Sequence, residues 1–235
     1  MIYISGVDGC KGGWISIRKE VGSGEISSQL LSASEQLVTQ PAPPEVLALD
    51  IPIGLTDSGP RRCDTIARQM LGQPRGSSVF PAPIRPALAA TDRKKADQIS
   101  RSVDGKGVPA QAFGLYPRIR EIDELVRRDG QARTYIYEVH PELCFMALND
   151  GTPILESKKS HKGMDIRKSL IQAHFGQGAL RSVRQNHPAS AVADDDIFDA
   201  FAALWTAERI HLGVARVIPN PPAMDSFGIR MGMWY

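Results

Sequence analysis

Four aspartates stand where a carboxylate is costly unless it is paired or binds a cation. Asp8 ends a predicted first strand, and Asp50 ends a short apolar run. Asp196 and Asp199 open a C-terminal segment that is otherwise almost wholly apolar. Carboxylates that converge repel one another, and a divalent cation relieves that repulsion. Because carboxylate oxygens are the ligands of hard cations, the pattern predicts a Mg²⁺ or Mn²⁺ site built from these four residues.

Each aspartate also has a purely structural interpretation. Asp8 could cap the glycine turn in "GVDGCKGG", and Asp50 could accept hydrogen bonds from the turn at Ile-Pro. Asp196 lies where the first turn of a helix favours acidic residues. Asp199 is the hardest to explain in this way, because it sits a full turn inside an apolar helix. The joint placement of the four residues therefore favours a metal site.

Other polar residues are candidates for the same site. Glu138, in "YEVHPE", is either a further catalytic ligand or an outward polar residue on a strand. His140 is either a proton shuttle or a turn residue before Pro141. Basic side chains that could contact phosphate, or that could be ordinary surface charges, are Lys11, Arg61, Arg62, Arg75, Arg85, Lys158, Lys159 and Lys162.

The elements that must position these residues follow from the hydrophobic pattern. Strands are predicted over Ile2–Val7, Trp14–Arg18, Glu25–Leu31, Val46–Leu49 and Thr134–Val139, with a further edge strand in "GIRMGMWY". A short helix is predicted after Ser32, and longer helices over Arg61–Leu71, Asp92–Val103, Gln111–Arg128, Ile166–Phe175 and Ile197–Ala207. The first strands form an antiparallel meander and the later strands are joined through helices. The order predicts an α/β protein with a mixed sheet.

The segment from about residue 55 to residue 133 differs in character and is predicted to be a mainly helical insertion in a single domain of residues 1–235. It is basic between Arg61 and Arg133, with 15 Lys and Arg against 8 Asp and Glu, whereas the rest of the chain has 13 against 18. This charge suits either a polyanionic partner or a solvated helical lobe. The connector "GQPRGSSVFPAPIRP" is a long loop, and such loops are commonly functional.

Composition excludes several classes of protein. There is no apolar run near the length that spans a bilayer and no signal-peptide pattern at the N-terminus, so a cytoplasmic location is expected. The three cysteines, Cys10, Cys63 and Cys144, form no C-x-x-C pair, which argues against a zinc ribbon or a disulfide framework. No nucleophile elbow, Walker A loop, dinucleotide fingerprint or H-E-x-x-H motif is present.

Three stretches carry a resemblance to a known family: "GVDGCKGGW", "DIPIGL" with the following "RRCDTIAR", and "YEVHPELCF". They resemble domain-of-unknown-function family 429, an uncharacterised prokaryotic family described as predicted nucleases of ribonuclease H-like fold. The resemblance spans about Ile4 to Ala207. It implies a ribonuclease H-like sheet flanked by helices and hydrolysis of nucleic acid.

The wider fold implies roles for the acidic residues. Ribonuclease H enzymes and Holliday-junction resolvases keep one acid on strand one, one at the end of the fourth strand, and an acid or a pair on the terminal helix. Asp8, Asp50 and the pair Asp196/Asp199 match these places, although the fourth-strand acid is often glutamate. The resemblance implies two-metal hydrolysis in which Asp8 bridges two Mg²⁺ ions about 3.5–4 Å apart.

Two other functions fit the same sequence. Actin-like ATPases and sugar kinases share the folding unit and also place Asp plus glycines after strand one, so "DGCKGG" suits phosphoryl transfer or ATP binding. A non-catalytic nucleic-acid-binding module would use the basic insertion without the acids. Mg²⁺-dependent ATP binding would favour the first alternative, and nucleic-acid affinity without cleavage would favour the second.

Overall fold

A computed structural model describes all 235 residues of the chain. Its central sheet has five strands: β1 (Tyr3–Cys10), β2 (Gly13–Glu20), β3 (Ile26–Leu31), β4 (Val46–Leu49) and β5 (Ile136–Glu138). Their spatial order is β3-β2-β1-β4-β5. The pairs β1/β2 and β2/β3 are antiparallel, and β1/β4 and β4/β5 are parallel. The predicted mixed α/β sheet is therefore confirmed, and it is consistent with a ribonuclease H-like fold.

Nine helices and a C-terminal hairpin surround the sheet. The helices are α1 (Arg62–Leu71), α2 (Arg85–Leu88), α3 (Arg93–Asp104), α4 (Ala110–Gly114), α5 (Tyr116–Arg128), α6 (Ala132–Tyr135), α7 (Pro141–Leu148), α8 (His161–Asn186) and α9 (Asp194–His211). The hairpin pairs β6 (Val217–Met224) with β7 (Arg230–Trp234), and a single bridge joins Trp234 to Val139 beside β5. The strand predicted in "GIRMGMWY" is therefore β7.

The two faces of the sheet are covered by different parts of the chain. Side chains alternate along a strand, so Val46 and Ala48 of β4 belong to one core, whereas Leu47 and Leu49 belong to the other. The first core includes buried residues of α7, α8 and α9. The second includes four buried residues of α5, which lies in the segment predicted to be an insertion. The insertion therefore closes one face of the sheet, and the C-terminal helices close the other.

Helix α9 crosses β1 at very close range. A Cβ atom on Gly6 would overlap the backbone of Ala200 and Leu204, so glycine is what lets strand and helix backbones meet. The helix is buried on all sides over most of its length, from Ile197 to Ala207. This packing brings the first turns of α9 beside the carboxyl ends of β1 and β4.

Several predicted elements differ in their bounds. The strand predicted over Thr134–Val139 is shortened to β5, because α6 begins where Asp129 accepts from the Ala132 amide. The helix predicted over Gln111–Arg128 is divided into α4 and α5, since Pro117 has no N–H with which to continue α4. Helix α8 is longer than the predicted Ile166–Phe175 and is interrupted at Gly176, whose φ is 82°. The short helix after Ser32 is a 3-10 turn, Ser34–Leu37.

No helix of the protein combines the length and the apolar character needed to cross a bilayer. All three cysteines are buried and unpaired.

Candidate metal centre

Three of the predicted acidic residues converge at one edge of the sheet. Each of Asp8, Asp50 and Asp199 has a carboxylate oxygen within 4.8 Å of the other two. Asp8 is 7% exposed and Asp199 is 3% exposed, while Asp50 is half-buried. The group thus lies on the floor of a cleft and not on an open surface.

Strand alternation explains the convergence. Gly6 faces α9, so Asp8, two residues on, projects from the same face of β1. Ala48 of β4 packs in the α9 core, and Asp50 follows it by two residues. The Asp50 amide donates to the Val7 carbonyl at 3.1 Å, which extends the parallel pairing to the residue that carries the carboxylate. The parallel strands β1 and β4 thus end at the same edge of the sheet, and α9, which packs on the sheet, contributes Asp199 there.

Burial and mutual repulsion raise the pKa values of these three carboxyls. The pKa of Asp8 is held well above its ordinary value, first by burial and then by the charges of Asp50 and Asp199. Burial also raises the pKa of Asp50 to about 7 and that of Asp199 to about 6, although the nearby Lys158 opposes both shifts. Groups that resist ionisation together are the kind that a divalent cation stabilises.

Lys158 is the cation of this group. Its Nζ donates to Asp199 Oδ2 at 2.5 Å and lies 3.6 Å from Asp195 Oδ2. Burial alone would lower the pKa of Lys158, but the carboxylates, Asp199 foremost, raise it above its ordinary value. The ammonium therefore stays charged beside the acidic cluster.

The structure separates Asp196 from the three converging residues. Its Oδ2 accepts from the Ala193 amide at 2.9 Å, so it caps the first turn of its own helix. Asp195 instead accepts from Lys159 Nζ at 2.6 Å. The sequence treated Asp196 and Asp199 as a pair on one helix face. Only Asp199 reaches the cluster, because the Asp196 side chain turns back toward the helix N-terminus.

Glu138 and Arg61 also differ from the sequence prediction. Arg61 donates to both carboxylate oxygens of Glu138, at 2.6 and 2.7 Å, and to Asp64 Oδ1 at 2.5 Å. Both Arg61 and Glu138 are almost fully buried. Glu138 is thus held in a buried ion pair and not among the three converging carboxylates, and Arg61 has no free donor pair for a substrate phosphate.

The other basic candidates fall into two groups. Arg85 is bound by Asp123 at 3.0 Å and by Asp225, so it fastens α2 to α5 and to the C-terminal hairpin. This engagement differs from the predicted phosphate contact. Apart from Arg75, which lines the cleft, the remaining predicted contacts are exposed and lie outside its walls: Lys11, Arg62, Lys159 and Lys162.

The cleft above the carboxylates has a volume of about 370 Å³. Its walls include Lys158, Arg75 and Arg118, together with Trp14 and Phe80. Arg118 was missed by sequence reasoning. It donates to the Cys10 carbonyl and its guanidinium lies 5.4 Å from the centre of the Trp14 ring. No sequence signal marks it, because only the docking of α5 on the sheet brings it to the β1–β2 hairpin.

A buried ion pair holds the loop that carries Lys158. Arg167 donates to both carboxylate oxygens of Glu142 at 2.7 and 2.8 Å. It also donates to the carbonyls of Glu156 and Gly163, which flank Lys158 in the chain. Arg167 is 1% exposed. The pair therefore fastens this loop to α7 and fixes Lys158 over the carboxylates.

The donor set fits a hard divalent cation. All three converging ligands are carboxylates, and their oxygens are close enough to share one ion or two. A second acidic group, Cys63, Asp64 and Glu138, has similar spacing but surrounds the Arg61 guanidinium, which pairs with both of its carboxylates. In the group at Asp8, Lys158 pairs with Asp199 alone, so Asp8 and Asp50 have no cationic partner.

The raised pKa of Asp50 makes stability depend on pH in a testable way. Its folded pKa of about 7 lies above the ordinary value of 3.8, so the folded state keeps the proton longer than the unfolded state does. Ionisation of the Asp50 carboxyl therefore lowers the free energy of unfolding progressively as pH rises from about 4 to about 7. Asp50→Asn removes this cost. We expect its Tm advantage over wild type to grow across this range by up to about 10 °C.

The measurement is a pair of thermal melts at pH 4.5 and pH 8, with and without Mn²⁺. Added Mn²⁺ is expected to stabilise wild type more than Asp50→Asn at pH 8. A Tm difference that does not change with pH would show that Asp50 titrates normally and that the cluster is not strained.

The fold and site define an α/β protein with a mixed five-stranded sheet, consistent with a ribonuclease H-like fold, that carries carboxylates near the ends of β1 and β4. The chain belongs to the family described as "Protein of unknown function (DUF429)", whose model matches residues 6–224. No curated protein and no solved structure matches the chain.

Proposed function

We propose that the protein is a divalent-metal-dependent phosphodiester hydrolase that acts on nucleic acid, with Mg²⁺ or Mn²⁺ at Asp8, Asp50 and Asp199. The observation that carries the proposal is the convergence of three carboxylates from two parallel strand ends and one helix. Their burial and the raised pKa values of all three describe a site that favours a cation. The basic insertion beside the cleft supports a polyanionic substrate.

Different residues of the cleft have different roles in the proposed hydrolysis. A bound divalent cation supplies an activated water and neutralises charge on the phosphate. Lys158, on the loop that Arg167 holds, would contact a phosphate oxygen, and Asp8, Asp50 and Asp199 would hold the cation. Arg75 and Arg118 offer further cationic contacts from the insertion wall. His140, whose pKa burial lowers, is neutral at pH 7 and is able to accept a proton.

The first experiment combines metal binding with cleavage. Calorimetric titration with Mn²⁺ is expected to show binding at pH 7.5 to 8, and labelled DNA and RNA oligonucleotides are expected to be cut in Mg²⁺ or Mn²⁺ but not in EDTA. ATP is titrated in parallel. Mg²⁺-dependent ATP binding without cleavage would favour phosphoryl transfer. Nucleic-acid binding that needs no metal and leads to no cleavage would favour a binding module and overturn the proposal.

A further inference from the structure

The cleft is enclosed by parts of the chain that a minimal sheet-and-helix core would lack. One wall is the insertion, with Arg75, Val79 and Phe80 from the connector and Arg118 from α5. Lys158 and the start of α7 also line the cleft, and Glu142 of α7 lies 3.8 Å from the Arg75 guanidinium. Arg118 crosses to the β1–β2 hairpin, where it donates to the Cys10 carbonyl and packs against Gly9. The insertion thus covers the carboxylates on one side.

The depth of the cleft limits which substrates can bring a phosphate to the metal ligands. A phosphate oxygen must come within about 2.0–2.6 Å of a bound divalent cation. Asp8 and Asp199 are almost fully buried, so the phosphate has to descend to the cleft floor. The volume of about 370 Å³ lies at the small end of the range of about 300–1,000 Å³ found for pockets that hold a single small ligand. This volume suits one nucleotide and excludes a base-paired backbone.

The lining has contacts suited to one unpaired nucleotide. Phe80 lines the cleft yet is 42% exposed, so its ring is available for a base to stack on. Two buried nitrogens in the same lining, Arg75 Nε and His140 Nδ1, have no hydrogen-bond partner. Because unpaired buried polar groups are costly, Arg75 Nε marks a place where a ligand oxygen is expected. His140 Nε2 faces the Ser78 carbonyl, so Nδ1 of the neutral ring is an acceptor and marks a place for a hydroxyl or a water that donates.

Charge makes entry depend on the metal. Five carboxylates line the cleft, against four lysine and arginine side chains: Asp8, Asp50, Glu138, Glu142 and Asp199, against Arg61, Arg75, Arg118 and Lys158. Glu138 and Glu142 are paired with Arg61 and Arg167, and Asp199 is paired with Lys158, so Asp8 and Asp50 are the carboxylates of the floor that have no cationic partner. A phosphate is therefore repelled until a divalent cation is bound.

We propose that this cleft takes a single unpaired nucleotide, so that the substrate is single-stranded nucleic acid and Phe80 is the stacking residue. This inference rests on the proposed function. A base pair has to open before its phosphate reaches the floor, and opening costs a few kcal/mol per base. Single strands are therefore preferred over the same sequence in a duplex.

The test uses one labelled sequence in three forms: single strand, blunt duplex, and duplex with a single-stranded overhang, each as DNA and as RNA. With Mn²⁺, the single strand and the overhang are expected to be cut about 100-fold faster than the blunt duplex. Equal cutting of single strand and duplex would overturn the inference while leaving the hydrolase intact. No cutting of any form, with no Mn²⁺ bound, would overturn the proposed function itself.

A binding measurement gives a readout that does not depend on turnover. Fluorescence anisotropy of the labelled single strand is measured in Ca²⁺ and in EDTA, with binding expected only in Ca²⁺. Phe80→Ala is expected to weaken it by about 5-fold to 100-fold, the range found when a stacking aromatic is removed. The control is Phe227→Ala, since Phe227 is 45% exposed but lies outside the cleft. Equal losses in both variants, or none in Phe80→Ala, would exclude stacking on Phe80.

Discussion

Asp8→Asn is expected to reduce Mg²⁺-dependent cleavage by about 10³-fold or more, because residues that act as one catalytic unit lose most of the rate when one is removed. Asparagine keeps the shape of the side chain but loses the charge that a cation needs. Burial and the charges of Asp50 and Asp199 both disfavour the charged form of Asp8. The variant should therefore fold normally, and should be more stable than wild type at pH 8.

Asp199→Asn tests the helix side of the same site, and Asp196→Asn is its matched control. The two aspartates lie one turn apart on α9, but only Asp199 reaches Asp8 and Asp50. Asp196 accepts from the Ala193 amide, and an asparagine oxygen is able to accept that bond too. Asp199→Asn is expected to lose activity as Asp8→Asn does, whereas Asp196→Asn should stay within about threefold of wild type, as substitutions away from the chemistry commonly do.

Initial rates at saturating Mg²⁺, with circular dichroism to check the fold, measure these effects. Calorimetry should show Mn²⁺ affinity lost in Asp8→Asn and Asp199→Asn and kept in Asp196→Asn. Loss of activity in Asp196→Asn equal to that in Asp199→Asn would mean that the first turn of α9 belongs to the site. Full activity in Asp8→Asn would remove the converging carboxylates from the mechanism.

Local patterns were enough to place the strand ends that carry the cluster. Asp8 and Asp50 each end an apolar strand, and two-residue alternation fixes the face on which each side chain projects. The antiparallel meander and the buried run of β4 follow from the same hydrophobic pattern, so a mixed sheet could be predicted, but the spatial order of its strands could not. The bounds of α4, α5 and α8 were less predictable, because they depend on Pro117, on Gly176 and on packing.

Contacts between residues that are distant in the sequence could not be predicted from it. Whether Asp196 or Asp199 reaches the strands depends on the rotation of α9, which the close approach at Gly6 fixes. Arg61 and Glu138 are 77 residues apart, and nothing local distinguishes a buried partner from a phosphate contact. Arg118 enters the cleft only because α5 packs on the sheet. These differences arise from tertiary docking, which periodicity does not encode.

The second large effect is expected from disrupting the buried ion pair of Arg61 and Glu138. Arg61→Met is expected to lower the free energy of unfolding by about 3–5 kcal/mol, the cost of leaving buried charges without their partner. Arg61 bonds to Glu138 of β5, to Asp64 of α1, and to the carbonyls of Ile53 and Gly54 in the segment that follows β4. Its removal leaves two carboxylates facing each other in the core beneath the cleft.

Arg62→Ala is the neighbouring control for Arg61→Met. Arg62 is exposed at the first position of α1, so its loss should change stability by no more than about 0.5 kcal/mol. Urea unfolding at pH 7.5 measures both variants. In Arg61→Met, KM for an oligonucleotide should stay near the wild-type value in the fraction that is still folded, because the guanidinium makes no substrate contact. An Arg61→Met protein of normal stability with a raised KM would instead restore Arg61 as a phosphate ligand.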